Sequence, residues 1–310
     1  MTKHSRNSST YEFVQLDVFT SQPLNGNPLA VFPDARGLSD QQMQAIAREM
    51  NLSETTFILP RDPQVEAKEG TRVRIFTVNE ELPFAGHPTL GTSLYIYSTM
   101  SSNPEEIGLD LNVGKIEVRF RPGADGTVVS DRVDGKVFGE MRQRDPEFGP
   151  ELPPEKIGSA LRGGADEIDP KSPCQVVSTG LPFAIVPIRD LQTLSKLQTD
   201  LARMGDLLKG TGAKFCYFIA RGDHEIHARM FFYLGEDPAT GSAAGCAASW
   251  MVRHGWAKSD AQVLIRQGVE ARRPSELFVC ATRDGDKVTN VRVGGYAVEI
   301  LRGRLNLSNT

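Results

Sequence analysis

The segment 236–255 constrains the fold of this chain more than any other. It begins Glu236-Asp-Pro-Ala-Thr-Gly-Ser-Ala-Ala-Gly245, continues through apolar and small residues, and ends at Arg253, His254 and Gly255. Cations in a last helical turn, followed by a glycine, are typical of a helix C-terminus. We therefore predict a loop that leads into a buried helix. The small residues at its start leave backbone N–H groups uncovered, which is a ready anion-binding site.

A second segment repeats this layout. Phe84-Ala-Gly-His-Pro-Thr-Leu-Gly-Thr-Ser93 again joins small residues and a titratable group to an apolar stretch, 89–100. The apolar side chains of that stretch point all round its circumference, which suits a helix enclosed by sheet better than a surface helix. We predict that the chain is organised around these two loop-to-helix turns.

Strand patterns surround both predicted helices. A capping box at Ser39 and Gln42 opens a further helix, and others are predicted at 155–161 and 191–208, with a connector through Pro153 and Pro154. The predicted strands are 11–20, 29–32, 55–59, 71–77, 107–113, 115–121, 126–133, 175–178, 184–188, 215–220, 225–232, 261–266, 275–282, 288–293 and 296–302. Many strands followed by one apolar helix, twice over, predict an α+β fold of two related halves.

The order of these elements also predicts how the chain is divided. We expect an N-terminal half formed by residues 11–134 plus about 297–310, and a C-terminal half formed by residues 135–296. Residues 1–10 are polar, lack the apolar core of a signal peptide, and are expected to form a disordered tail.

Composition limits the partners. The formal net charge is −4 and the chain has no run of basic residues, which argues against nucleic acid or an anionic membrane as a partner. No apolar stretch approaches the length of a membrane span. The four cysteines form no CxxC pair and the histidines have no metal-ligand spacing, so we expect no metal site and a reduced, cytoplasmic setting.

Titratable residues at the turns are the candidates for chemistry. Glu54, His87, Asp237 and, less strongly, Glu236 each lie between regular elements. Taken singly, Glu54 is compatible with a surface role, His87 with a helix cap and Asp237 with a helix N-cap. Taken together with two uncovered helix N-termini, they predict a proton-transfer site that binds a small anionic substrate.

Several blocks of the sequence, in their order along the chain, carry a specific resemblance. The chain resembles the PhzF family of phenazine biosynthesis isomerases at Asn27–Val31, Met43–Thr55, Arg74–Thr77, Glu81–Pro88, Glu236–Gly245, Gln267–Glu270 and Arg273–Ser275. The resemblance implies the diaminopimelate epimerase-like fold, in which two pseudo-symmetric halves each wrap a sheet around a central helix. The active site then lies in the cleft between the halves, and a homodimer is expected.

The resemblance also implies a reaction. The phenazine enzyme isomerises 2,3-dihydro-3-hydroxyanthranilate without a cofactor: a glutamate moves a proton from C3 to C1 of the ring, and the resulting enol tautomerises to an aminoketone. The matching catalytic residues here are Glu54, His87 and Asp237. The matching substrate-binding residues are Ser53, Gly86, Gly241 and Ser242.

Related epimerases and racemases carry a cysteine just before the glycine at each helix start. This chain has Ala85 and Thr240 at those positions, so racemisation by two cysteines is disfavoured. Two alternatives stay open at this point. One is an epimerase or dehydratase that acts on another amino acid, and the other is a non-catalytic homologue that binds a carboxylate.

Overall fold

The computed structural model describes residues 8–122, 133–232 and 235–308. Within these ranges the helices are α1 Asp40–Met50, α2 Pro63–Glu69, α3 Gly86–Thr99, α4 Pro154–Gly158, α5 Leu191–Lys196, α6 Leu201–Leu208 and α7 Gly241–Arg253. The strands are β1 Ser8–Val18, β2 Asn27–Phe32, β3 Glu54–Ile58, β4 Thr71–Phe76, β5 Glu81–Leu82, β6 Glu106–Leu111, β7 Gly114–Pro122, β8 Val137–Arg142, β9 Glu147–Leu152, β10 Cys174–Ser178, β11 Pro182–Pro187, β12 Phe215–Arg221, β13 Ile226–Phe232, β14 Gly235–Glu236, β15 Val263–Gln267, β16 Ser275–Asp284, β17 Lys287–Gly295 and β18 Ala297–Ser308. The predicted strand 126–133 lies outside the described residues except for Val133.

Strand pairing follows the same order twice. One set of strands runs β18-β1-β2-β3-β4-β6-β7-β8. The other runs β9-β10-β11-β12-β13-β15-β16-β17. In both sets the third strand pairs parallel with the fourth and the fifth with the sixth, while the other pairs are antiparallel. The prediction of an α+β fold with two related halves is therefore confirmed.

The boundary between the halves follows from this repeat. The two sets are joined where β8 pairs antiparallel with β17, and the last strand, β18, returns to the first set beside β1. The predicted N-terminal half of 11–134 plus about 297–310 stays a proposal. The repeat favours a boundary after β8, because that strand completes the first set.

Each half encloses one of the two predicted helices. Helix α3 packs against β1, β2, β3, β6 and β8, while α7 packs against β10, β11, β12, β16 and β17, and the two helices contact each other. Eleven residues of α3 are buried, and in α7 every residue except Arg253 is buried. This burial accounts for the apolar composition of both segments. Among the described helices, none combines the length and the hydropathy needed to cross a bilayer.

Local sequence signals place the residue that opens β3. The predicted capping box is present: Ser39 Oγ accepts from the backbone N–H of Gln42 at 3.3 Å, and Gln42 Oε1 accepts from the backbone N–H of Ser39 at 2.9 Å. Helix α1 then ends at Met50, and Asn51 adopts a left-handed conformation with φ of 50°. This short turn brings Glu54 to the start of a buried strand.

Four sequence predictions about the elements were wrong in part. The predicted connector contains β8 and β9; β9 carries Pro150, which an edge strand tolerates, and its pairing is with β10. The predicted helix 191–208 is two helices, because Asp190 and Asp200 each cap a separate one. Helix α3 begins at Gly86, not at 89. Strand β1 begins at Ser8, inside the predicted tail, and residues 1–7 lie outside the described residues.

Candidate active site

The two enclosed helices begin against each other. A Cβ atom added to Gly86 would lie 3.0 Å from both Cα and the carbonyl carbon of Gly241, and 3.0 Å from the backbone nitrogen of Ser242. Only glycine at position 86 permits this approach without displacement of the backbone. The N-cap residues, Ala85 and Thr240, make no side-chain hydrogen bond to their helices. Their first-turn N–H groups are therefore available to an anion, as the sequence predicted.

The loop before each enclosed helix carries an arginine–glutamate ion pair of the same geometry. Arg74 donates from Nε and Nη2 to the two carboxylate oxygens of Glu81, at 2.8 and 2.6 Å. Arg229 donates from the same two atoms to Glu236, both at 2.8 Å. Such two-pronged pairs fix geometry as well as charge. Glu236 is thus engaged in a structural pair and is not a free acid of the site, which corrects its inclusion among the candidates.

Asp237 lies in the interior beside the start of α7, where its carboxylate accepts hydrogen bonds from two side chains. Oδ1 accepts from Asn27 Nδ2 at 2.8 Å, and Oδ2 accepts from the hydroxyl of Thr240 at 2.5 Å. Burial raises the pKa of Asp237 to about 6, and these hydrogen bonds oppose that rise because they stabilise the ionised form. The N-cap of α7 is Thr240, so Asp237 does not have the capping role that was one of its alternatives.

Glu54 and His87 form a close contact next to Asp237. Glu54 Oε2 lies 3.5 Å from His87 Nδ1, and the two side chains are only 16% and 5% exposed. Burial, and then the negative charge of Asp237, raise the pKa of Glu54 to about 8. Burial lowers the pKa of His87 to about 3, so its ring is neutral near pH 7. At that pH the site therefore holds its negative charge mainly on Asp237, and Glu54 is mainly protonated.

A cavity of about 380 Å³ opens onto these groups. Its polar lining includes Ser53, Glu54, Asp237, Thr240 and Ser242, and beyond these Thr77, Glu80, Glu81, Arg142, Gln143, Arg144, Thr179 and Lys214. The walls are mainly apolar and include Leu82, Phe84, Val113, Ile116, Leu181, Phe215 and Phe232. A largely apolar cavity onto which polar groups converge is typical of a small-molecule site. The structure thus brings the predicted residues to one place, with His87 behind Glu54 and Gly86 and Gly241 at the two helix starts.

Three buried polar residues were missed as parts of the site: Asn27, Tyr217 and Gln267. Gln267 Nε2 donates to the backbone oxygen of Asp237 at 2.7 Å and to Thr240 Oγ1 at 2.9 Å. Its Oε1 accepts from the backbone N–H of Thr240 at 3.1 Å and from the hydroxyl of Tyr217 at 2.9 Å. Asn27 and Gln267 lie in two of the blocks that carried the family resemblance, which was the available signal.

Comparison with solved structures identifies the fold. The chain superposes on a predicted epimerase from Pseudomonas aeruginosa with a TM-score of 0.81 and 34% identity, covering 95% of this chain and 99% of that one. A hydroxyproline epimerase from Agrobacterium vitis matches with a TM-score of 0.63 at 10% identity, covering 99% and 95%, and at that identity it shows the fold alone. The chain has two halves, each wrapped around a helix, and two acids, Glu54 and Asp237, near the starts of those helices. These features define the class: an enzyme with the diaminopimelate epimerase-like fold.

Sequence comparison gives the family within that class. The chain belongs to the PhzF family, because the profile of the phenazine biosynthesis-like proteins matches residues 16–303. A trans-2,3-dihydro-3-hydroxyanthranilate isomerase of Pseudomonas aeruginosa is 35% identical over 304 residues, covering 96% of this chain and 100% of that protein. A protein of Mesorhizobium japonicum described as an uncharacterized isomerase is 34% identical over 312 residues, covering 96% and 99%. The protein is an enzyme of the isomerase class. Across the described ranges, no three His, Cys, Asp or Glu side chains are grouped to hold a metal ion.

Proposed function

We propose that this isomerase shifts a proton on a small cyclic amino carboxylate, such as 2,3-dihydro-3-hydroxyanthranilate, without a cofactor. The observation that carries the proposal is Glu54, a carboxyl that lines the cavity and has its pKa raised to about 8 beside Asp237. A group that must both remove and return a proton works best when its pKa lies near the working pH. The relative with the named activity supplies the ring substrate as the first to test.

Binding follows from the polar groups that line the cavity and begin its two helices. The substrate carboxylate is held by the uncovered N–H groups at the two helix starts and by Ser242. Asp237 is ionised at neutral pH and attracts the amino group of the substrate, while Ser53 lines the cavity beside Glu54. Neutral His87 lies against the Glu54 carboxyl and restricts its orientation.

The proton shift then uses one carboxyl. Ionised Glu54 takes the proton from C3, and the electrons of that C–H bond enter the ring diene, whose double bonds move by one position. Glu54 returns the same proton to C1, and the enol at C3 tautomerises to the ketone, so no oxidant or reductant is consumed. At pH 7 a carboxyl with a pKa near 8 is ionised in roughly one tenth of the molecules, so the reactive form is available.

The test is turnover of 2,3-dihydro-3-hydroxyanthranilate by the wild type and by Glu54→Gln. Removal of a general base costs about 10²- to 10⁴-fold in rate, so kcat is expected to fall by that factor. Glu49→Gln, the same change at an exposed position of α1, is the control and is expected to keep the wild-type rate. If the wild type turns the compound over and Glu54→Gln keeps most of that rate, Glu54 does not carry the proton.

A complementary measurement addresses the substrate. The purified protein is incubated in D2O with the ring compound and with a panel of amino acids, and deuterium uptake is followed by mass spectrometry. Exchange at an amino-acid α-carbon, without turnover of the ring, would replace the present proposal with an epimerase. The homodimer and the cytoplasmic location stay predictions, and light scattering of the purified chain tests the first.

A further inference from the structure

Asn27 contacts three groups of the site from the first position of β2. Its side chain is fully buried. Nδ2 donates to Asp237 Oδ1 at 2.8 Å and to the backbone oxygen of Ala239 at 2.9 Å, and it lies 3.4 Å from His87 Nδ1. A side-chain amide has two hydrogens. The two short contacts use both of them, so Asn27 joins β2 to the loop that precedes α7.

The orientation of this amide follows from its surroundings. The alternative orientation would turn the Asn27 oxygen toward a carboxylate oxygen and a carbonyl oxygen, and none of these atoms can donate. In the observed orientation Asn27 Oδ1 is buried and has no partner among the described residues. An unpaired buried acceptor costs free energy. At Asn27 this cost is present because both amide hydrogens are bonded to the loop that contains Asp237, which leaves the amide oxygen without a partner in the described part of the chain.

The groups around Asp237 do not neutralise its charge. Glu54 faces it from β3, His87 lies nearby on α3 with a neutral ring, and Tyr217 on β12 has its pKa raised by burial and then by the charge of Asp237. Glu236, the preceding residue, adds negative charge, and the cation of Arg229 is engaged by that same glutamate.

Hydrogen-bond donors stabilise the Asp237 carboxylate instead. They are the Thr240 hydroxyl, the backbone N–H of Ala239 and the side chain of Asn27. The first two belong to the same loop as Asp237. Asn27 is the donor that comes from a distant part of the sequence.

We propose that Asn27 is a positioning residue that keeps Asp237 the ionised member of the Asp237–Glu54 pair and thereby leaves Glu54 as the member that carries the proton. The electrostatic part concerns the protein alone, whereas the catalytic part rests on the proposed function. Because two neighbouring acids titrate as a pair, a donor on one of them decides which acid ionises first. Without Asn27, the pKa values of the Asp237 and Glu54 carboxyls come closer together. The roles of ionised group and proton carrier are then less clearly divided between them.

The first experiment titrates the carboxyls by infrared difference spectroscopy, with Asp237→Asn used to assign the band. Loss of a hydrogen bond to a charged group is expected to move the Asp237 titration upward from pH 6 by about one pH unit in Asn27→Ala. Asn27→Leu, which keeps the approximate size and shape but has no donor and adds no carboxyl, is expected to move it in the same direction if the alanine variant does not fold. Asn25→Ala is the control, since Asn25 engages Arg273 through its backbone carbonyl. An unchanged Asp237 titration in folded Asn27 variants overturns the proposal.

The second experiment measures kcat/KM against pH with the proposed substrate. If both carboxyls must be ionised, the logarithm of kcat/KM rises with slope two below pH 6 and with slope one from there to pH 8. Asn27→Ala is expected to lower kcat/KM about tenfold or more and to move the change of slope upward. A fall in rate without that movement marks a merely structural role. If the wild type does not use the substrate, the infrared result still decides the electrostatic part.

Discussion

The contact between the two helix starts makes Gly86→Ala an informative perturbation. The added Cβ would meet three backbone atoms of Gly241 and Ser242 at 3.0 Å, closer than ordinary van der Waals contact. Backbone atoms at the starts of two enclosed helices cannot rotate away as the end of a flexible side chain can. The two helices must therefore separate by a few tenths of an ångström, and the N–H groups that we propose as the carboxylate site move with them.

Both stability and activity are expected to fall. Overpacking of a well-packed interior costs about 1–3 kcal/mol, and small displacements of groups that position a substrate cost up to about 10²-fold in rate. We expect Gly86→Ala to lower the free energy of unfolding in urea by that amount and to reduce kcat/KM about 10- to 100-fold. Circular dichroism before the titration confirms that the variant has folded.

Gly205→Ala is the matched control, because it makes the same chemical change in a helix without the contact. Gly205 lies exposed in α6, and an added Cβ there meets no atom within 4 Å. Alanine is the better helix former, so this variant is expected to gain about 0.5–1 kcal/mol and to keep the wild-type rate. If Gly86→Ala unfolds at the same urea concentration as the wild type and keeps its kcat/KM, the inferred contact between the helices is wrong.

Two further substitutions test the buried carboxyls of Glu54 and Asp17. The folded protein keeps the Glu54 proton up to about pH 8, whereas the unfolded chain loses it near pH 4.5, so the contribution of Glu54 to stability falls as the pH rises between those values. Glu54→Gln is expected to raise Tm relative to the wild type at pH 9 and to change it little at pH 4; an equal difference at both pH values would contradict the buried placement. Arg273 donates to the fully buried Asp17 at 2.5 Å and to the backbone oxygens of Asn25 and Gly26, so Arg273→Ala is expected to lower the free energy of unfolding by about 3–5 kcal/mol. Denaturant titration checks this, and added Asp17→Asn is expected to recover part of the loss.

Much of the fold could be predicted because local signals agreed with the tertiary structure. The apolar circumference of α3 and α7 predicted that both helices are enclosed, and all but one residue of α7 is buried. The capping box at Ser39 fixed the start of α1. Strand β9 escaped prediction because its Gly149 and Pro150 are typical of turns, and only its pairing with β10 makes it a strand. Such pairing joins segments that are distant in sequence.

The residues of the site likewise include some that the sequence could indicate and some that depend on distant partners. Glu54, His87 and Asp237 could be singled out because each is a titratable group at a turn between regular elements, and the resemblance to the PhzF family matched each of them to a catalytic residue. Asn27 stood out only through the block that resembles the PhzF family, because Asn-Gly-Asn-Pro is ordinary turn composition and the acceptors of its amide, on Asp237 and Ala239, lie more than 200 residues away. Gln267 is a similar case, since its four hydrogen bonds depend on how the loop at Thr240 folds back. Buried polar networks leave little trace in a single sequence because each partner alone is a common residue.

The internal repeat explains how a symmetric fold comes to have an asymmetric site. The segments 81–87 and 236–242 correspond residue by residue, since each begins with the glutamate of a two-pronged arginine pair and reaches its helix start at glycine. In that alignment Asp237 corresponds to Leu82, and the cysteine positions of a racemase correspond to Ala85 and Thr240. The other acid, Glu54, opens β3, whereas the matching strand β12 opens with Phe215. Racemisation needs a proton acceptor on one face of a carbon and a proton donor on the other, but a proton shift along one face of a ring needs a single carrier. The loss of symmetry at these positions is therefore what the proposed reaction requires.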